Sequence, residues 1–418
     1  MKQSAASHES VSTRTGPLVS SPATGLQEHA RAAGREAFLL LLVTHFFVDC
    51  YGSALPTVQP LLAERFDLSL AQAGILGGFF MFSSAVLQLP FGLVSDRLQS
   101  RHYSIWSPVV AAVFLTSLGL ASGFGGLIAL LLVGGMGVAA YHPHSTSQAG
   151  RVGVGGRGFS TAVFIAVGTA GLALGPLCLT LVIERAGFDS LWMAAIPAVA
   201  MVPVLLWRFP QPVENRDRSA SAVDWAALKA QRRPLVTHYV LVVLRSISQV
   251  GITQFLSLYS VRLRGASFEM ASVSLSIFLL SSPVGSFLGG AAADRFGGRR
   301  VILASCVGSV PFLAAFLVLD GWFSILALFV GGVVLLTTLP VNVVMAQELV
   351  PSQASTTSAL MMGFAWGVAG LVFMPIVGMI GDAVGLRAVF LGFVTLPLLA
   401  FPIALSLPKS GPERQEEK

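Results

Sequence analysis

The chain has 418 residues, of which 54% are hydrophobic and only 11% charged, with a formal net charge of +6. A soluble domain carries roughly 25% charged residues, so an ordinary water-exposed fold is excluded and a bilayer is needed to cover the apolar surface. The positive balance does not imply a polyanionic partner such as nucleic acid, because the basic residues follow a membrane topology.

Residues 1–35 are rich in Ser, Ala, Thr and Gly without an apolar period, and they predict a disordered tail. No secretory signal precedes the first apolar run, which is long enough to span and is retained as helix one. Twelve runs of about 20 apolar residues, the length that crosses a bilayer, follow at about 37–62, 72–95, 104–122, 124–149, 159–183, 190–209, 236–262, 271–293, 301–319, 322–348, 355–380 and 387–407. Between the sixth and seventh lies the longest polar internal segment, 210–235, which divides a six-helix bundle (36–209) from a second (236–407). The stretch Asp224-Trp225-Ala226-Ala227-Leu228 predicts either a short amphipathic helix on the membrane surface or a plain charged linker. Residues 408–418 form a second tail. Cys50, Cys178 and Cys306 are scattered singly and suggest small buried thiols rather than a disulfide framework or a metal site.

Counted over the connections, Arg97, Arg101, Arg151, Arg157, Arg208, Arg216, Arg218, Lys229, Arg232, Arg233, Arg295, Arg299 and Arg300 lie on one side, against Arg65, Arg185, Arg262, Arg264 and Arg387 on the other. This excess predicts that both termini and the central linker are cytoplasmic.

The chain is also built twice. Gly92, Asp96, Arg97 and Arg101 recur at one interval as Gly290, Asp294, Arg295 and Arg299. Glu184 and Gly187 recur at the same interval as Asp382 and Gly385, and Gly134-Gly135 with Pro143 recur one residue off as Gly331-Gly332 with Pro340. Duplicated membrane halves packed face to face form a central site that opens alternately to each side. The predicted fold is an all-α membrane protein of twelve helices, in two pseudo-symmetric six-helix bundles around a central cavity.

The duplicated Gly-x-x-x-Asp-Arg segments resemble the helix 2–3 and 8–9 signature of the major facilitator superfamily. That resemblance implies a cytoplasmic latch: Gly92, Asp96, Arg97 and Arg101 in one half, and Gly290, Asp294, Arg295 and Arg299 in the other. Gln99 stands where the family's first signature has a glycine. Gly171, Gly175 and Pro176 in helix five are similar to the motif associated with antiporters of the superfamily; tight packing alone is the other reading of such spacing. Thr44-His45-Phe46-Phe47-Val48-Asp49, Tyr141-His142-Pro143, Ala346-Gln347-Glu348 and Gly363-Phe364-Ala365-Trp366-Gly367 look like the fosmidomycin-resistance group of drug exporters. Fosmidomycin is a small phosphonate, so proton-driven export of that or a similar compound is implied. The sequence departs from the group at His144 and Ser147, where a glutamate and an arginine are usual.

An ionisable residue inside a span costs a few kcal/mol and marks a functional site. His45 and Asp49 share a face of helix one at i, i+4. Asp49 is the leading proton site with His45 as its modulator, a structural hydrogen-bonded pair being the alternative. His142 is expected on the proton path, whereas His144 points away and reads as structural. Two imidazoles around a proline make a poor ligand set, so no metal is expected. Arg245, the one Lys or Arg well inside a span, is the candidate clamp for an anionic group, with snorkelling toward the rim as the alternative. Gln249, Gln254, Trp366 and Tyr51 complete the expected binding set. No metalloprotease His pair, nucleophile elbow or phosphate loop is present, so an enzyme is not expected.

These observations together predict a proton-coupled exporter of a small drug or metabolite, with a fosmidomycin-like anion as one case. It would reside in a bacterial inner membrane, act as a monomer with only substrate, protons and lipid as partners, and be driven by the proton gradient without a cofactor. A proton symporter importing a small organic anion is the alternative.

Overall fold

The computed structural model describes residues 22–98, 100–153, 156–209 and 224–409. Twelve helices are long and apolar enough to cross a membrane. They are α1 (Gly34–Arg65), α2 (Leu70–Ser95), α3 (His102–Leu120), α4 (Phe124–Val152), α5 (Arg157–Ala186), α6 (Phe188–Arg208), α7 (Arg232–Arg264), α8 (Phe268–Phe296), α9 (Gly298–Val318), α10 (Gly321–Leu349), α11 (Thr356–Val384) and α12 (Leu386–Leu405). No strand occurs among the described residues.

Helical backbone begins at Pro22, ahead of α1. That stretch lies in the second part of the predicted tail, where Gln27, Glu28, Ala30, Arg31, Ala32 and Ala33 are strong helix formers. The first part of the tail, residues 210–223 of the linker and residues 410–418 lie outside the described residues. The linker does form a short helix, Trp225–Ala230, capped by Asp224, whose carboxylate accepts from the Ala226 and Ala227 amides at 3.0 Å. Trp225 is exposed on it, as an amphipathic surface helix requires.

The duplication seen in sequence is repeated contact by contact. Gly134 of α4 sits on Leu115 of α3, and Gly331 of α10 on Leu313 of α9. Gly135 packs against Ser83 of α2, and Gly332 against Ser281 of α8; any side chain at either glycine would strike the serine hydroxyl. These serines donate within their own helices, Ser83 to the Phe80 carbonyl at 3.1 Å and Ser281 to that of Phe278 at 2.5 Å. Serine N-caps open α2 and α8, with Ser69 accepting from the Gln72 amide and Ser267 from that of Met270. Gly187 and Gly385 close α5 and α11 at φ of 85° and 87°, a region that L side chains avoid. The glycine of that second sequence landmark is therefore a turn requirement.

Small residues also set the seam between α1 and α5. A methyl on Gly168 would overlap the His45 ring, one on Gly171 the Phe46 carbonyl, and one on Gly175 the Ser53 hydroxyl. Large apolar side chains such as Phe287, Trp207 and Leu399 are exposed on the perimeter, the arrangement a lipid solvent favours.

Candidate functional site

The two halves meet on the side opposite the Asp96 and Asp294 loops. There the Asp382 carboxylate at the end of α11 accepts from the Leu70 and Ala71 amides at 2.7 and 3.0 Å. This acid caps the free N–H groups that open α2. Its counterpart by the repeat, Glu184 at the end of α5, lies near Glu269 at the start of α8. Thr180 and Ser272 join their hydroxyls at 2.6 Å, and Arg262 donates to the Ala63 carbonyl. The contact of α2 with α11 runs inward from Gly378 on Leu70 to Gly367 on Val86. At that depth both helices widen into π turns, 82–86 in α2 and 360–364 and 369–373 in α11.

Beyond the π turn α2 runs on as Gln88–Leu98, past the Ser95 end of the span, and packs on α4 of its own half. Gly92 lies against Pro143, while Gly290 has open space where a side chain would be. Arg97, Asp294 and Arg295 are exposed, and Arg295 lies over the Phe296 ring. The second arginine of each repeat bonds a backbone carbonyl. Arg101 donates to the Phe209 carbonyl at 2.9 Å and Arg299 to the Leu405 carbonyl at 2.5 Å. Each guanidinium thus caps the last helix of its own half, where orphan carbonyls and the negative helix end favour a cation. The placement of the Asp96 side chain is outside the described residues.

Between these ends lies the polar interior. Asp49 stands near the midpoint of α1, with His45 one turn earlier. Its Oδ1 is 3.0 Å from His142 Nε2 of α4, and its Oδ2 is 3.4 Å from His45 Nε2. The His45 Nδ1 lies 2.8 Å from the Phe164 carbonyl, and the His142 Nδ1 lies 2.8 Å from that of Val138. A carbonyl only accepts, so each Nδ1 carries hydrogen, and each neutral ring then presents a bare Nε2 to Asp49. At 3.0 Å two bare acceptors, His142 Nε2 and Asp49 Oδ1, repel unless a proton lies between them. The ligand atoms of these residues all fall within 4.8 Å of one another, a spacing that also suits a metal ion. Sequence reasoning discounts a metal on the His142-Pro143-His144 run alone, because nothing in the linear order brings His45 and Asp49 beside His142.

Packing holds this cluster in place. His45 stacks on Phe164 of α5 with ring centroids 3.9 Å apart. Tyr141, fully buried, bonds Thr44 at 2.7 Å and donates to the Leu41 carbonyl at 3.0 Å, clamping α4 to α1. α4 stays helical through Pro143. His144 is buried, with Gln148 at 2.7 Å and the Tyr103 ring beside it, so it packs between α3 and α4.

In the second half Arg245 is buried near the middle of α7 and donates to Gln249. Its Nε has no partner, and among the described residues no acid pairs with it. Being buried, it does not snorkel to the rim. Two turns earlier on α7, His238 bonds Asn342 of α10 at 3.2 Å, leaving His238 Nδ1 and Asn342 Nδ2 unpaired and buried. Sequence reasoning missed this pair, although an intramembrane histidine seven residues from Arg245 is a visible signal. Trp366 is half-buried in the short α-helical turn between the two π turns of α11.

Two expected binding residues are otherwise engaged. Tyr51 is buried and donates to the Ala194 carbonyl at 2.9 Å, which ties α1 to the start of α6. Gln254 is buried against Gly77 and donates to the Ala73 carbonyl, so it bridges the halves. Both belong to packing, because each polar end points to a neighbouring helix backbone.

Two six-helix halves joined on one side, with buried unpaired polar groups between the ends, have the architecture of a membrane transporter. The chain belongs to the Major Facilitator Superfamily, whose model matches residues 38–274 and 264–418. It is accordingly a multi-pass membrane transporter and not an enzyme. It is 28% identical to an uncharacterized MFS-type transporter, YfnC, of Bacillus subtilis (strain 168), over 90% of this chain and 94% of the relative. It is 27% identical to the fosmidomycin resistance protein of Escherichia coli (strain K12), over 88% and 91% respectively. Similar folds include a bacterial homolog of the human lysosomal transporter Spinster, crystallised in an inward-facing and occupied conformation (TM-score 0.74, 14% identity, 88% of this chain and 95% of that one). The nucleoside transporter NupG is also similar (TM-score 0.69, 15% identity, 89% and 100%).

Proposed function

We propose that the protein exports a small anionic drug or metabolite, of the phosphonate kind, in exchange for protons. The observation that carries this reading is the Asp49 cluster, in which two histidine Nε2 atoms face one carboxylate with both Nδ1–H groups already committed. Such a cluster binds a proton by construction. Loading and unloading that proton changes the charge at the centre of the first half. In the second half the buried Arg245 has spare donors for a carboxylate or phosphonate.

With the Arg-rich loops placed in the cytoplasm of a bacterial inner membrane, the side where the halves join is periplasmic and the conformation is inward-facing. An anion from the cytoplasm enters and meets Arg245; protons arriving from the outside reload Asp49 when the halves exchange. Coupling needs each ligand to favour a different state. The efflux reading draws on the fosmidomycin-resistance relative and on the probable sugar efflux transporter of Helicobacter acinonychis (strain Sheeba), 24% identical over 80% of this chain and 89% of the relative.

The test is transport in inverted membrane vesicles under an imposed pH gradient, with a panel of phosphonates and carboxylates and a simultaneous proton readout. Uptake coupled to proton exit supports export; substrate moving together with protons establishes a symporter instead. Asp49→Asn is expected to abolish proton-driven flux while leaving substrate binding measurable. Undiminished gradient-driven transport in that variant removes Asp49 from the proton route.

A further inference from the structure

A groove of about 440 Å³ lies in the first half among α2, α3 and α4, away from the Asp49 cluster. That volume is in the range of sites that hold small molecules, and nothing in the transport reading uses it. Its walls are apolar, with Leu98 from the end of α2, Trp106 and Val110 from α3, and Met136 from α4. All of its lining belongs to the first half, and α3 packs on α1, α4 and α6 of that half. Leu98 and Trp106 are both largely exposed, which is the surface a lipid tail covers.

Depth and charge identify the occupant. Along α3 the lining runs from His102, at the helix start, to Val110. Eight residues of helix rise roughly 12 Å, which is close to half of a hydrocarbon core of about 30 Å. The groove therefore spans one leaflet. Its outer end is polar, with His102 exposed in the lining and the exposed Arg97 next in sequence to the lining residue Leu98. Trp106 and Tyr103 lie between the two zones, as aromatic side chains do at a membrane interface. We propose that this groove binds one anionic phospholipid from the leaflet on the side of the basic loops. Its acyl chain fills the space between α3 and α4, and its phosphate sits at Arg97 and His102. Ser100 also lines the groove, so an occupied groove touches the chain next to Arg101.

The full-length wild-type protein in nanodiscs, with phosphatidylglycerol carrying a photoreactive group at the end of one chain, provides the first test. Crosslinks are expected on peptides from 98–110 and 133–140; crosslinking confined to other helices overturns the proposal. In the second test, delipidated protein is titrated by native mass spectrometry with phosphatidylglycerol and phosphatidylcholine of identical chains. Wild type is expected to retain phosphatidylglycerol preferentially. Val110→Trp, which fills the groove, should lose that bound lipid, and Arg97→Gln with His102→Gln should bind the two lipids alike. Equal binding of both lipids by wild type, or undiminished phosphatidylglycerol in Val110→Trp, overturns the assignment. None of these readouts depends on transport or on its direction.

Discussion

Asp49, His45 and His142 show how a few backbone carbonyls decide the chemistry of a site. The spacing of His45 and Asp49 already puts them on one face of a helix. What the sequence leaves open is the partner of each Nδ1, and that partner determines which atom faces the acid. Arg245 makes the complementary case. Its burial without an acid is costly for a cation, and its spare donors are what the proposed anion clamp rests on. Arg245→Ala is expected to remove hydrogen bonds worth about 1.5–3 kcal/mol to a charged group, on the order of 10- to 100-fold in affinity. That loss should appear for anionic substrates and be small for neutral ones in a binding titration. Equal losses for both would sink the clamp. Tyr51 and Gln254 depart from the expected binding set for a simple reason. A polar residue on an apolar helix reads as a binding group until the neighbour that satisfies it is known.

At the scale of the helix, the antiporter-like segment of α5 is first a packing seam. Gly168, Gly171 and Gly175 are each blocked by an atom of α1, and at Gly171 the obstacle is the Phe46 main-chain carbonyl. A side chain can rotate away from a methyl, whereas a helix backbone must shift. Gly171→Ala is therefore expected to destabilise the protein by about 1–3 kcal/mol, the usual cost of overpacking, measured as a lower midpoint of thermal unfolding in detergent. Because α1 carries His45 and Asp49, the same shift should loosen proton coupling before it abolishes binding. An unchanged unfolding midpoint would mean that the seam is slacker than its geometry implies. The arginines that follow Asp96 and Asp294 act at this scale too. Arg101 and Arg299 close α6 and α12, so the repeat marks the right residues in sequence while their contacts within each half are visible only in three dimensions.

Across the whole molecule, the halves are joined at one end by Asp382 on α2 and by Thr180 with Ser272, and they part beyond the π turns of α2 and α11. This predicts a lock. In a background with Cys50, Cys178 and Cys306 replaced by alanine, Thr180→Cys with Ser272→Cys places two thiols where the hydroxyls now touch at 2.6 Å. Mild oxidation should crosslink α5 to α8 and stop transport, and a reductant should restore it. Transport that continues through a complete crosslink would show that this side need not open. The duplication, the twelve spans and the division into halves are legible from apolar run lengths and from residues recurring at one interval, because bilayer thickness and repeat symmetry leave linear traces. The same traces carry the Glu184 and Asp382 landmarks, whose role the sequence leaves blank. A capping acid and the helix start that it caps lie hundreds of residues apart, and no local pattern connects them.

By itself, then, the sequence determined a duplicated membrane protein with an acid and a histidine on one face of α1 and a lone arginine in α7. Hydrophobicity, helical period and the cost of a charge in lipid act along the chain and can be read there. Only the tertiary structure decided that His142 completes the acid's surroundings, that Tyr51 and Gln254 are spent on packing, and which end of the molecule is closed. Those outcomes depend on which helices approach within hydrogen-bond distance, and glycines at three positions of α5 set that approach as firmly as any charged residue.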